Sequence, residues 1–484
     1  MILSHYRAGT GAILIETREE SRLLREVIAE LPAGAPVHTV AAPSGQIKDA
    51  RTGKPSEGTG LTAGYQWAQA GPARVLIVYD WHTLANTAGH WRALADALPG
   101  LRQPRNAGPQ DPASLVVFCG PHWELLPANP LRGLLPILSL ALPDREALAT
   151  VANALCPLTD DRERVIDALC GLSADAAEQA CAEVLARNNN RYNPDLLRDA
   201  RRQSLRDAGL ELWPAVDSIG GLTGLRGAIE SEVIPWIRDD QLSIRRILCA
   251  GLPGTGKSYF ARWLAKQLSC ECARLSIPGL KAGIVGASEA NLKRALRTLD
   301  ALGQHSPIVC VMDEIDTIAR EGLDGGTSSG MFSELLTWLQ ESTAQVLIVA
   351  TLNRLDKLDA ALESRFSLRF FFDLPSAVER QAVAEIHYRR LRCTDPESAA
   401  AGTAQLTEGF SSRELAESIC PTVARLTQRQ PDQDVIKRVV ANTTPASRTQ
   451  QQQLAQMRSA AQTLRRANDP EQTGPTTGRR IGHG

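Results

Sequence analysis

Near the middle of the chain stands the run Gly251-Leu252-Pro253-Gly254-Thr255-Gly256-Lys257-Ser258. Its spacing, G-x-x-x-x-G-K-S, is that of a loop that cradles phosphates. The glycines let the backbone turn and approach an anion with no Cβ in the way. Lys257 offers a positive charge to β- and γ-phosphates, and Ser258 a hydroxyl to Mg²⁺. Pro253, Gly254, Thr255, Gly256 and Tyr259 complete this lining. Such a loop works only between a strand and a helix N-terminus, where backbone N–H groups and the helix dipole face the anion. The flanks agree. Ile247 to Ala250 read as a buried strand, and Phe260, Ala261, Leu264, Ala265 and Leu268 recur at helical spacing. A glycine-rich turn that matches by chance is the bland alternative, and it needs no such flanks.

Two carboxylates come next. The apolar run Ile308 to Met312 ends in Asp313-Glu314. Adjacent acids at a strand end are costly to bury without a cation. Asp313 is therefore expected to hold Mg²⁺ with Ser258, and Glu314 to act as general base toward an attacking water. Asp316 reads as a helix N-cap. Asn353 follows a second apolar run, Val346 to Ala350, where its amide would orient the water or touch the γ-phosphate; a turn residue is the alternative. Arg365 precedes the last strand, Leu368 to Phe372. In a ring it would project into a neighbour's site and stabilise charge on the transferring phosphoryl group; a surface ion pair is the alternative. Arg413 begins a later helix and would reach the nucleotide from a lid, or else stand exposed.

The elements that must position these residues follow from periodicity. Strands alternating with helices over residues 209–375 argue a parallel sheet with helices on both faces. Residues 376–445 are helical, and 446–484 read as one exposed helix, Gln450 to Ala467, and a disordered tail. Residues 1–143 look like a second α/β unit without a phosphate loop. Val75 to Asp80 there mimics an acid-ending strand, but Trp81 and His82 follow in place of a glutamate. The Gly-, Pro- and Ser-rich span Pro32 to Ala73 reads as a long loop. Residues 144–208 are helical, broken at Cys156-Pro157, Gly171 and Asn188-Asn189-Asn190. An α/β unit followed by helices repeats the plan of the second half, so the first half reads as a degenerate copy of it.

Composition bounds the function. A chain of 484 residues with 43% apolar and 22% charged content is an ordinary multidomain globular protein. A net charge of −1 gives no bulk drive toward nucleic acid or an anionic membrane. No stretch is long and apolar enough to span a bilayer, and Met1 to Thr10 lacks the apolar centre of a secretory signal. Ten scattered cysteines without a paired C-x-x-C fit a reducing, cytoplasmic setting.

The phosphate loop, Asp313-Glu314, Asn353 and Arg365, in this order and followed by a helical lid, resemble the AAA+ ATPases. Ile219-Gly220-Gly221-Leu222 resembles that family's adenine-side entry, which assigns Ile219 and Gly220 to the nucleotide. Val285-Gly286-Ala287-Ser288-Glu289-Ala290-Asn291 resembles its V-G-E-S-E-x-N stretch. Within the family, Asp324-Gly325-Gly326-Thr327, Leu336 to Glu341 and Phe371 to Pro375 resemble the ycf46-type proteins of plastids and cyanobacteria. The resemblance implies a five-stranded parallel sheet of order 5-1-4-3-2 with a helical lid, ATP and Mg²⁺ as cofactors, and a homo-oligomeric ring, hexameric on the family's pattern. It also implies ATP hydrolysis coupled to remodelling or assembly of a protein partner, or else a slow ATP-dependent switch that recruits one. Three departures stand out: a single arginine, Arg365, where the family has two; Ile284 where unfoldases carry a pore aromatic; and Arg413 where many relatives have a small residue.

Overall fold

The computed structural model describes residues 2–468 apart from 18, 42–43, 71–72, 81–87, 103–112, 121–134, 159–160, 238, 240, 242, 277–279, 281–286, 305, 316–327 and 356–359. Ile284, Asp316, Asp324 to Thr327, and the tail from 469 lie outside the described residues. The chain divides into two compact units, Met1–Arg198 with Val285–Ala290, and Asp199–Ile284 with Asn291–Gly484.

The first unit carries β1 (Ala12–Glu16), β2 (Val37–Ala41), β3 (Gln46–Asp49), β4 (Pro55–Thr59), β5 (Val75–Tyr79), β6 (Leu115–Gly120) and β7 (Ile137–Ser139) in one sheet of order β4-β3-β2-β5-β6-β1-β7. Every pairing from β2 to β7 is parallel, and β3 and β4 form an antiparallel hairpin on the β2 edge. Alternation along the strands feeds two cores. Ala12, Leu14, Leu76, Val78, Val116 and Phe118 pack with helices Leu61–Gln69 and Ala88–Leu101. Ile13, Ile15, Val75, Ile77, Val117 and Cys119 pack with Leu23 and Val27 of helix Glu20–Glu30. The helical stretch follows as helices Arg145–Leu155, Arg162–Leu169, Ala174–Arg187 and Pro194–Asp207, the last of which runs on into the second unit. Asp144 and Ser173 cap the first and third by accepting from Ala147 N and Ala176 N.

The second unit carries β8 (Leu210–Trp213), β9 (Arg246–Gly251), β10 (Glu271–Leu275), β11 (Ile308–Met312), β12 (Val346–Leu352), β13 (Leu368–Phe372) and β14 (Arg465–Arg466), in the order β14-β13-β9-β12-β11-β10-β8. The central five are the expected parallel strands in the expected order 5-1-4-3-2. The first unit has the same order: its parallel strands, numbered along the chain, run 5-1-4-3-2 from β7 to β2. The degenerate half is therefore a copy in topology.

Three expectations are corrected. Pro32 to Ala73 is not a long loop; it forms β2, β3, β4 and helix Leu61–Gln69. Its strands are short and polar at most positions, and are held by long-range pairing that local composition does not display. The sheet of the second unit has seven strands rather than five, because β8 adds antiparallel to β10 and β14 parallel to β13. Gln450 to Ala467 is not one exposed helix. Helix Gln451–Ala460 stops, a short turn follows, and the chain enters β14, with Leu454, Met457, Ala461 and Ala467 buried. Beyond the sheet, helices Ala377–Arg390, Pro396–Leu406, Cys420–Leu426 and Gln433–Ala441 enclose a separate small core around Tyr388, Leu415 and Ile436.

The burial of Met457 makes a prediction. Met457→Ala lowers stability by about 2–3 kcal/mol in urea denaturation, the cost of a large-to-small change in a core. Gln452→Ala, on the exposed face of the same helix, changes it by less than about 0.5 kcal/mol.

Candidate functional site

The sheet order brings the ends of β9, β11 and β12 together, since β12 lies between β9 and β11. The loop after β9 opens helix Lys257–Gln267, and Gly256 enters it with φ of 99°. Gly254 has φ of 85°, and a Cβ there would stand 2.9 Å from the Arg413 Cβ. Only glycine tolerates that backbone and that approach. Lys257 is buried, and its Nζ donates to Gly251 O at 2.7 Å, Leu252 O at 2.8 Å and Asn353 Oδ1 at 3.1 Å. The Thr255 hydroxyl donates to Leu252 O at 2.9 Å.

Asp313 sits one residue past β11. Its Oδ1 accepts from Ser258 Oγ at 2.9 Å and from Thr351 Oγ1 at 3.1 Å. Thr351 also accepts from Glu314 N at 3.2 Å. Glu314 itself has φ of 55°, a left-handed conformation uncommon for a residue with a side chain. Asn353 Nδ2 donates to Glu314 Oε1 at 3.3 Å. A chain of contacts thus runs from Lys257 through Asn353 to Glu314.

These groups line one cavity of about 570 Å³. Ile219, Gly220, Pro253, Gly254, Thr255, Gly256, Lys257, Ser258, Tyr259, Asp313, Glu314, Asn353 and Arg413 all border it. Arg413 reaches the loop through its backbone, whose N–H donates to Gly254 O at 2.9 Å. The guanidinium groups of Arg262 and Arg390 both lie over the Tyr259 ring, 5.7 and 5.6 Å from its centroid. Arg365 is not among the residues of this cavity; its Nη2 donates to Gln340 Oε1 at 2.8 Å.

Several lining residues escaped the reading of the sequence. Thr351 carries a signal, as the one hydroxyl in the otherwise apolar β12 and two positions before Asn353. Arg274 borders the cavity from β10, a strand that also carries Glu271, so its charge gave no signal of its own. Val383, Ile386 and His387 border the cavity from helix Ala377–Arg390. That helix meets the entry loop so closely that a Cβ on Gly220 would lie 2.7 Å from Val383 N. Glu379 joins both: it closes a capping box with Ser376 and accepts from Leu222 N at 3.0 Å and Asn468 Nδ2 at 3.0 Å. Asn468 in turn accepts from Asp373 N at 2.7 Å. No local pattern announces Asn468, which arrives from the C-terminal strand.

The donor chemistry fits ATP and Mg²⁺. The loop combines convergent backbone N–H groups, a helix N-terminus and a buried ammonium, which suit phosphates. Ser258 and Asp313 supply a hydroxyl and a carboxylate oxygen side by side, which suit a hard divalent cation. The matching position of the first unit is different in kind. There β1 runs almost directly into helix Glu20–Glu30 behind Glu19, whose buried carboxylate accepts from Arg22 Nη1 and from Ala174 N. Burial, with Asp80 and Asp175 nearby, pushes the Glu20 carboxyl up. Carboxylates stand where phosphates would need donors.

Comparison with known proteins agrees with this geometry. Residues 247–374 match the model of the ATPase family associated with various cellular activities, AAA. The chain is 26% identical over 334 residues to the "Uncharacterized AAA domain-containing protein ycf46" of Trieres chinensis, covering 63% of this chain and 65% of that one. It is 29% identical over 284 residues to the protein of that name from Pyropia yezoensis, covering 54% and 57%. For the Gracilaria tenuistipitata var. liui protein of that name the figures are 24% over 368 residues, covering 71% and 72%. The chain thus spans a little over half to about two thirds of the first two relatives' lengths. Residues 247–374 thus carry an AAA module, and the chain is similar to ycf46-type proteins over much of its length. No helix among the described residues is long and apolar enough to cross a membrane.

His387 supplies a pH test. Burial, with Arg390 beside it, lowers its imidazole to about 4. Between about 4 and its ordinary 6.5 the unfolded chain binds the proton and the folded chain does not, so stability falls as pH falls through that window. Urea midpoints near neutrality and at about pH 5 measure the decline, and His387→Gln makes it shallower.

Proposed function

We propose that this AAA-module chain is a Mg²⁺-dependent ATPase that couples hydrolysis to remodelling or assembly of a protein partner, working as a homo-oligomeric ring in the cytoplasm. The observation that carries the reading is the contact chain at the lip of the phosphate loop: Ser258 on Asp313, and Lys257 on Asn353 on Glu314. Backbone N–H groups of Gly254 to Ser258 and the Lys257 ammonium would hold the phosphates. Ser258 and Asp313 would hold Mg²⁺, which when bound neutralises phosphate charge. Glu314 takes the proton of the attacking water, and its left-handed backbone with the Asn353 amide holds the carboxylate toward the cavity. Arg413 and its helix, bonded to Gly254, carry lid movement to the loop.

Arg365 belongs to a neighbour's reaction in this reading. Its place away from its own cavity supports a role across a subunit boundary. The same observation favours a second reading, a nucleotide-loaded switch with little turnover, wherever no neighbour is present. The free cysteines among the described residues support a reducing compartment.

ATP turnover and particle mass in each nucleotide state test this. Glu314→Gln is expected to bind ATP and to lower turnover by about 10²-fold or more, the scale of a lost general base. Arg365→Ala is expected to keep ATP binding and lose about 10³-fold in turnover, and only in the assembled state. Wild-type protein that binds ATP with no turnover in any assembly leaves the switch in place of the ATPase.

A further inference from the structure

The two oxygens of Asp313 have different company. Oδ1 takes two hydroxyl donors, from Ser258 and Thr351. Oδ2 lies 3.1 Å from Nε of Arg274, a pair whose side chains are 34% and 19% exposed. That Nε is buried and not aligned as a hydrogen bond, so the contact is chiefly one of charge. Arg274 borders the cavity. It comes from β10, where its cross-strand partner on β8 is Glu211. Its guanidinium is 3.7 Å from Glu211 Oε2, and lies over the Trp213 ring at 5.2 Å from the centroid. The edge strand β8 thus furnishes both the rival carboxylate and the aromatic platform for an arginine that faces the cation-binding acid.

We propose that Arg274 is a resident counter-cation for Asp313 that competes with Mg²⁺, so that β8 sets the Mg²⁺ concentration at which the site loads. An arginine cannot shed its charge near neutral pH. Beside Oδ2 it cancels much of the field that Asp313 presents to a divalent ion, and at this separation in a half-closed pocket that field is large. A hard dication therefore takes up Asp313 only by sharing or displacing the guanidinium. Glu211 and Trp213 give the guanidinium a second resting place, since an ion pair and a ring face both attract it. Glu211 thus pulls against Asp313, and its charge helps the exchange.

The inference rests on the ATP reading, and its test separates the two. The full chain carrying Glu314→Gln, to suppress turnover, is titrated with Mg²⁺ in the presence of a fluorescent ATP analogue at constant ionic strength, and the Mg²⁺ midpoint of the binding signal is read. Arg274→Met is expected to lower the midpoint about fivefold or more. Arg274→Lys keeps the charge and is expected to stay within about twofold of the parent. Glu211→Gln, which leaves Asp313 as the one carboxylate paired with Arg274 among the described residues, is expected to raise the midpoint about twofold or more. Opposite shifts from two residues of one ion-pair cluster are not what general loosening produces. An unchanged or raised midpoint in Arg274→Met overturns the proposal and leaves Arg274 as a positioning residue. Should that variant fail to fold, Glu211→Gln decides alone: a rise supports competition, and no change or a fall overturns it. Failure of the parent to bind the analogue at any Mg²⁺ concentration overturns the ATP reading and this inference with it.

Discussion

A carboxylate that must stay charged at the end of a fully buried strand sets the terms for the second half of this chain. β11 is apolar and buried at every position, and Asp313 begins where it ends. Such a group needs donors or cations on each oxygen. Four elements answer that need. The helix after the phosphate loop brings Ser258, β12 brings Thr351, and β10 brings Arg274, itself backed by β8. Strand order is what makes this convergence possible. With β11 between β12 and β10, both neighbours reach the same carboxylate from opposite sides.

That dependence separates what was legible in the sequence from what was not. Residues 251–258 form one contiguous stretch, and the glycines, Lys257 and Ser258 within it each have a physical reason to be what they are. Asp313-Glu314 and Asn353 stand at ends of apolar runs, where a polar group calls for explanation. These could be read without a fold. Arg274, His387 and Asn468 could not, because their roles exist only once β10, the lid helix and the C-terminal strand have been placed around the cavity. The same holds for the fold itself. Long apolar strands announced themselves, while β2, β3 and β4 were hidden in a span whose glycines and prolines look like loop. β14 has only two residues, both arginine, and its burial cues lie outside it, at Met457 and Ala467.

The first unit keeps the strand order of the second without its phosphate loop. Its parallel strands run in the same order, and Asp80 after β5 has a left-handed backbone as Glu314 does after β11. Yet Glu19 and Glu20 occupy the strand-to-helix junction, and no glycine-rich turn intervenes. Two opposite charges at one junction, lysine in one unit and glutamate in the other, are enough to reverse what that junction attracts.

Two sheets of one strand order in one polypeptide raise a problem of fidelity during synthesis. An uncovered strand edge offers free N–H and C=O groups to any matching strand, and repeated modules are prone to exchange them. Each sheet closes its edges with devices that the other lacks. The β2 edge carries the β3–β4 hairpin, and the corresponding β10 edge carries the single strand β8. At the far side, β7 has only three residues, while β13 is covered by Arg465 and Arg466 from a distant part of the chain. The additions that looked like ornaments to a five-stranded plan thus also act as stoppers against mispairing. Because β14 follows every other strand of its sheet in the chain, that side of the sheet stays open until all of them have been made.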